Sequence, residues 1–288
     1  MNGVLIIDKP AGWTSMDVCA KLRGVFHEKR VGHGGTLDPM ATGVLPVFLG
    51  RSTRAVEYAT DSDKEYIAGI KLGVVTNTQD TTGEVLEERS VSIDRVALEA
   101  VLSRFTGPLD QIPPMFSAIK KDGKKLYELA RKGVEIERKP RHIVIKELEI
   151  TNRIDDTTYE LRVLCSKGTY VRTLCHDIGA ALGCGAAMCS LRRSMAAGYT
   201  LADSVTLEQV LNAEDPAVFV HKVDSCFSQY PSVTIDGKDL FKAKNGNAFP
   251  WAGSEGTYRV YGPENEFLLL GQCKDGMITT IKSFFEVT

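Results

Sequence analysis

Apolar residues follow two periods along this chain, one of about two residues and one near 3.6, and stretches of each are interspersed rather than strictly alternating. Val4–Ile7 is a short apolar run that ends at the turn signal Lys9-Pro10-Ala11-Gly12, which predicts a buried strand. Thr14 followed by Asp17 forms a capping-box pattern, so a helix should run to about Phe26. Residues 31–44 are glycine-rich and lack helical periodicity; they predict a loop, followed by a strand over Leu45–Leu49 and a short helix over Thr53–Ala59. Lys64–Leu72 reads as a strand carrying Tyr66. Ile93, Val96, Leu98, Val101, Leu102 and Phe105 share one helical face, so Ser92–Phe105 predicts a helix stopped by Gly107-Pro108. Glu160–Cys165 and Ala186–Met195 predict strands, and Thr169–Leu182 and Thr206–Leu211 predict helices. From about Gln229 onward, short strand-like runs are broken at Asp236-Gly237, Asn245-Gly246, Gly262-Pro263 and Asp275-Gly276, the pattern of a small β domain. The mixture predicts an α+β fold in two parts, residues 1–228 and 229–288.

Composition narrows the classes. A chain with 43% hydrophobic and 25% charged residues is globular, which excludes extended disorder, collagen and coiled coil. No apolar run approaches membrane-spanning length, and Val4–Ile7, followed at once by Asp8, is too short for a signal peptide. The seven cysteines include no C-x-x-C pair, so reduced thiols in a cytoplasmic protein are expected. The histidines lack zinc spacing, and no metal is expected. Net charge is only −2, yet residues 118–146 hold ten Lys/Arg against four Asp/Glu, a local +6. That asymmetry is the strongest compositional clue to a polyanionic partner, although charge alone favours a solvated helix face. Pro113-Pro114 and Pro140 mark the segment as a projecting loop-helix element.

The most unusual stretch is Gly32-His33-Gly34-Gly35-Thr36-Leu37-Asp38-Pro39-Met40-Ala41-Thr42-Gly43-Val44-Leu45-Pro46. Leu37 stands where a dinucleotide fingerprint needs its last glycine, and no Gly-Lys-Ser/Thr follows, so neither phosphate motif is present. Glycines and prolines instead fix an irregular backbone around one carboxylate, Asp38, and would let a flat substrate approach the main chain. Taken singly, Asp38-Pro39 is a common turn starter, His33 an ordinary loop residue, Arg172 a surface cation, and Tyr66 and Leu191 core.

Together these residues closely resemble the catalytic-aspartate motif of the TruB-type tRNA pseudouridine synthases. Further landmarks follow in the family's order: Lys9-Pro10 with Gly12-Trp13-Thr14-Ser15, Lys64-Glu65-Tyr66, Pro114-Met115-Phe116-Ser117-Ala118, Gly168-Thr169-Tyr170-Val171-Arg172 and Leu191-Arg192-Arg193. The likeness spans roughly residues 1–200, with Gly34 where the family more often has Thr or Ala. It implies a mixed, mainly antiparallel sheet with flanking helices and, more weakly, a small C-terminal PUA-like RNA-binding domain. It implies isomerisation of uridine at position 55 in the T arm of tRNA, without a cofactor; no obligate protein partner is expected, and the lack of an evident surplus apolar helix predicts a monomer. Asp38 would be the nucleophile and Arg172 its partner; Tyr66 would stack on the base, Leu191 would wall the pocket and Tyr170 would line it. Lys9 joins the substrate-binding set, and His33 would fill the space left by the flipped base. The basic insertion, about residues 113–146, would clamp phosphates through Lys120, Lys121, Lys124, Lys125, Arg131, Lys132 and Arg141.

Competing readings use the same residues. A tRNA-folding chaperone would keep the basic and aromatic surface and need no Asp38. A guide-RNA-dependent relative would be expected to carry long extensions and basic tails, which are lacking. A glycosidase needs a second carboxylate, absent from the motif. A Cys175–His176 dyad is disfavoured because adjacent helical side chains diverge.

Overall fold

The structure, a computed structural model, describes residues 1–121 and 123–285; Asp122 of the basic segment and the final three residues lie outside the described residues. The apolar run at the start forms Gly3–Lys9 (β1), and Ser15–Phe26 (α1) follows. The Thr14 hydroxyl accepts from the Asp17 amide at 3.1 Å and the Asp17 carboxylate accepts from the Thr14 amide at 2.9 Å, closing the box that the sequence predicts. Next come Val31–His33 (β2), Thr42–Leu49 (β3), Val56–Asp61 (α2) and Lys64–Leu72 (β4). Val74–Thr76 (β5) and Val85–Glu88 (β6) make a hairpin, Arg95–Leu102 (α3) continues as a short 3-10 turn, and Gly107–Gln111 (β7) returns to the sheet. The basic segment opens with a ribbon, Lys120–Lys121 (β8) against Lys124–Lys125 (β9), and one helical turn, Leu126–Ala130 (α4). Then follow Arg141–Arg153 (β10), Thr158–Cys165 (β11), Val171–Ala181 (α5), Ala186–Ala196 (β12), Tyr199–Thr200 (β13), Val205–Thr206 (β14) and Leu207–Asn212 (α6).

The main sheet runs β14-β1-β3-β12-β4-β11-β10-β7, with β2 on β3 and β13 on β12. Among the described residues of this sheet only β1–β14 and β3–β12 pair in parallel, so it is mixed and mainly antiparallel, with flanking helices, as the family resemblance implies. One face carries Leu5, Ile7, Leu45, Val47, Ala68, Ile70, Leu161 and Val163 against Val18 and Leu22 of α1, Leu98 and Leu102 of α3, and Leu174 and Ile178 of α5. On the other face Val4, Ile6, Val44 and Phe48 pack against Phe227, Leu270 and Phe284. The last two residues belong to the C-terminal region: Ser232–Thr234 (β15), Gly237–Lys244 (α7), Phe249–Pro250 (β16), Gly256–Tyr261 (β17), Phe267–Lys274 (β18) and Met277–Ser283 (β19), in the order β15-β17-β18-β19-β16.

The structure differs from the pattern at several places: the helix expected over Thr53–Ala59 is a 3-10 turn over Gly50–Ala55 followed by α2, and the hairpin of β5 and β6 has no counterpart in the pattern. Residues 31–44 are not all loop: β2 begins at Val31 and β3 already at Thr42, because Val31–His33 finds its partners across β3 rather than in its own sequence. Residues 107–111 and 141–153 are strands that pair with each other, so the basic segment projects only up to about residue 140 and Arg141 begins a sheet strand. Asp236-Gly237 opens a helix, not a hairpin turn; Ala243 is buried on the second sheet, and three lysines over eight residues obscure the period. Ser92 and Ile93 precede α3, whose cap is Asp94 through a 2.8 Å bond from the Ala97 amide.

Candidate active site

Asp38 is fixed by its neighbours on either side. Ser15, the first residue of α1, accepts from the Leu37 amide at 2.8 Å and donates to the Leu37 carbonyl at 3.3 Å, while the Leu37 side chain is buried in the core. A turn follows, with the Ala41 amide donating to the Asp38 carbonyl at 3.0 Å. The Lys9 side chain is wholly buried and its ammonium donates to the carbonyls of Trp13 (2.7 Å), Pro10 (2.9 Å) and Pro39 (3.3 Å). Lys9, expected in the substrate-binding set, thus directs its donors into the protein and ties the Pro10–Trp13 turn to the Asp38 loop. Burial lowers its pKa to about 8, although the Asp38 charge pulls the other way. The Asp38 side chain is 35% exposed.

Arg172, buried in the first turn of α5, meets it. Its Nε lies 2.8 Å from Asp38 Oδ2 and its Nη2 donates to Oδ1 at 3.3 Å, a two-point grip that sets the plane of the carboxylate. Nη1 donates to the Thr78 carbonyl at 3.0 Å and Nη2 also to the Phe116 carbonyl at 2.9 Å. A second carboxylate, Asp80 Oδ2, stands 3.7 Å from Nε. Asp80 is buried, and its Oδ1 accepts from the Thr82 amide at 3.0 Å and from the hydroxyls of Thr78 and Thr82. The sequence reading missed Asp80: in Thr76-Asn77-Thr78-Gln79-Asp80-Thr81-Thr82-Gly83, dense in turn formers, it looks like any loop aspartate.

Tyr66 and Leu191 lie on adjacent strands with side chains on one face of the sheet: Tyr66 pairs with Arg193, and Leu191 pairs with Ala68. Both are only 8% exposed, and burial raises the Tyr66 phenol's pKa while Arg193 and Asp38 act on it electrostatically. Arg193, assigned no role from sequence, is buried and donates to the carbonyls of Val44 (2.7 Å) and Gly35 (3.1 Å), stitching the glycine-rich loop to the sheet. His33 ends β2, and burial together with the Arg193 charge lowers its pKa. Tyr170 caps α5, with its phenol raised by burial and within electrostatic reach of Arg172, Arg141 and Asp38. Asp38, Arg172, Tyr66, Tyr170 and Leu191 therefore gather at one site with Asp80. Lys120, Lys121 and Lys124 are exposed on the ribbon, and Lys132 follows α4. Lys125 and Arg131 lie over the Tyr127 ring at 5.3 and 5.4 Å. Arg141 sits apart from these, at the start of β10.

The chain is similar to known proteins along nearly its whole length. The family model described as TruB family pseudouridylate synthase, N-terminal domain, matches residues 23–171, and that of the tRNA pseudouridylate synthase B C-terminal domain matches 172–218. The chain is 40% identical over 290 residues to tRNA pseudouridine synthase B of Clostridium kluyveri, spanning 99% of this chain and 100% of that one. It is 42% identical over 287 residues to tRNA pseudouridine synthase B of Pseudomonas putida, spanning 96% and 94%. Among solved structures, a chain of a Cbf5-Nop10-Gar1 complex superposes with a TM-score of 0.75 at 25% identity, over 98% of this chain and 85% of that one. A chain of an H/ACA RNP bound to a substrate RNA containing 2'-deoxyuridine gives 0.74 at 23% identity, over 99% and 85%, a likeness of fold.

Proposed function

The chain belongs to the TruB family of pseudouridylate synthases, which isomerise uridine to pseudouridine in tRNA, and from that premise we propose that it acts at position 55 in the T arm with Asp38 as its nucleophile. The observation that carries the reading is the grip of Arg172 on both oxygens of the exposed Asp38 carboxylate. The target uridine leaves its stack, at a cost of a few kcal/mol, and enters the space beside Asp38. Stacking on Tyr66 offsets about 1–3 kcal/mol of that. Leu191 forms the apolar wall, and Tyr170 offers a hydroxyl beside the carboxylate. Asp38 adds to the nucleotide at C1′ or C6 and the N1–C1′ bond breaks; the base turns, a C5–C1′ bond forms, and the bond to Asp38 breaks again, while C5 gives up its hydrogen and N1 takes a proton. Arg172 stabilises the carboxylate's aim, and Asp80 with the Thr78 and Phe116 carbonyls keeps the guanidinium from swinging away. His33 takes the place of the flipped base in the RNA. The ribbon and α4 hold T-arm phosphates, and the C-terminal sheet from Ser232 reaches the acceptor stem of the same tRNA. The enzyme works as a cytoplasmic monomer, without a cofactor.

The test is release of tritium from unmodified tRNA labelled at uridine C5, for the wild type beside Asp38→Asn, with the product mapped. Release by the wild type from position 55, none by the variant, and an affinity for tRNA unchanged within about twofold are expected, since the variant loses a step and not the binding surface. Turnover of Asp38→Asn at a tenth of the wild-type rate removes the nucleophile role. A wild type that binds tRNA and releases nothing makes the protein a chaperone of the T arm.

A further inference from the structure

Gln111 ends β7 and is 2% exposed, a buried amide with a donor and an acceptor to satisfy. Both go to one residue, Tyr170: Oε1 accepts from its backbone amide at 2.8 Å, and Nε2 donates to its backbone carbonyl at 3.1 Å. This is the pairing that a neighbouring strand makes, supplied here by a side chain to the cap of α5. Tyr170 makes no side-chain cap bond of its own. The placement of the first turn of α5 therefore rests on Gln111, and that turn carries Arg172. The chain leaving Gln111 reaches that arginine directly five residues on, where the Phe116 carbonyl accepts from Nη2 at 2.9 Å. Beyond Phe116 lie the lysines of the ribbon.

We infer that Gln111 is a positioning residue for the isomerisation: its amide sets Tyr170 and, through the first turn of α5, the approach of Arg172 to Asp38. The inference rests on the roles proposed above for Tyr170, Arg172 and Asp38. No charge is involved and Gln111 touches no substrate, so its loss acts on the rate after binding. A shift of about 1 Å at the reacting groups is enough to slow a reaction by about a hundredfold.

The experiment compares single-turnover tritium release, tRNA affinity and thermal midpoint for wild type, Gln111→Met and Gln111→Glu. Methionine keeps the volume and removes both hydrogen bonds. Ionised glutamate keeps the acceptor for the Tyr170 amide and loses the donor to its carbonyl. The expected order of rates is wild type, then Gln111→Glu, then Gln111→Met, with Gln111→Met about tenfold to a hundredfold slow and affinity within about twofold. Leu268→Ala, buried in the C-terminal sheet, provides a comparable loss of stability away from the site. A normal rate for Gln111→Met, an affinity lost in step with the rate, or the same slowing in Leu268→Ala overturns the inference. If Gln111→Met does not fold, the Gln111→Glu rate decides: equal to wild type, it overturns the inference. Asp38→Asn separates the two readings: if it is inactive while Gln111→Met is fast, only the role of Gln111 falls, whereas an active Asp38→Asn removes the reading beneath it.

Discussion

Lys9 and Arg172 both hold the Asp38 loop and treat it differently. Arg172 spends its planar fork on the carboxylate itself, whereas Lys9 spends its ammonium on three carbonyls and holds the backbone beneath. A charge so enclosed is disfavoured, and the Lys9 pKa falls from 10.5 to about 8. The sign of the effect on stability follows from proton counting. Between pH 8 and 10.5 the unfolded chain keeps the proton that the folded chain has released, so Lys9 makes stability rise with pH across that window and adds no slope below it. The stability difference between wild type and Lys9→Met, measured by denaturant unfolding, should be level from about pH 6 to 7.5 and then grow, by on the order of 2 kcal/mol by pH 10. A difference that stays level throughout would mean that the ammonium is not held in a desolvated site. Turnover of Lys9→Met should fall as well, because the Pro39 carbonyl loses its tie to the Pro10–Trp13 turn.

At the scale of elements, the site depends on how closely β3 and β12 approach, and one glycine sets that distance. Gly43 has φ +101°, and a Cβ there would lie 2.2 Å from the Arg193 carbonyl oxygen and 2.8 Å from its amide nitrogen. These are backbone atoms of a buried strand, so nothing flexible can give way. Gly43→Ala should lower the thermal midpoint by about 10 °C, as a change of about 3 kcal/mol does in a chain of this size. Gly24→Ala, on the exposed side of α1 with open space around it, should leave the midpoint unchanged or raise it. Differential scanning of the two variants checks both, and a Gly43→Ala protein as stable as wild type would sink the argument. The same contrast explains what was legible in the sequence. The helix α1 could be read because its signal is local: Thr14, Asp17 and an apolar face lie within twelve residues. Asp38, Arg172, Tyr66, Tyr170 and Leu191 could be named because they sit in recognisable segments. Asp80 and Gln111 lie outside those segments, and Arg193, inside one, still drew no role, because each acquires its meaning from partners far along the chain: Arg172 for Asp80, Gly35 and Val44 for Arg193, Tyr170 for Gln111. The strands β2, β7 and β10 escaped for a related reason, since their pairing lies across the sheet rather than within a hydrophobic period.

For the whole molecule, the distribution of charge matters more than its sum. A chain of net charge −2 should not hold RNA by its overall field, so the proposed attraction falls to residues 118–146, whose local +6 includes the four lysines of the ribbon. In the ribbon Lys120 faces Lys125 and Lys121 faces Lys124, like charges placed directly opposite one another. Such an arrangement is unfavourable in isolation, and phosphates binding between the strands would relieve it. Each phosphate contact releases condensed counterions and adds roughly 0.7–0.9 to the slope of log affinity against log salt. Reversing Lys120, Lys121, Lys124 and Lys125 to glutamate should therefore weaken tRNA binding and flatten that slope by about 3. The thermal midpoint should not fall, because these side chains contribute little packing: three of the four are exposed. Filter binding across about 50–200 mM salt measures the slope directly. A slope unchanged by the four reversals would take the ribbon out of the interface and leave the attraction to Arg131 and Lys132, which follow α4, and to Arg141 at the start of β10.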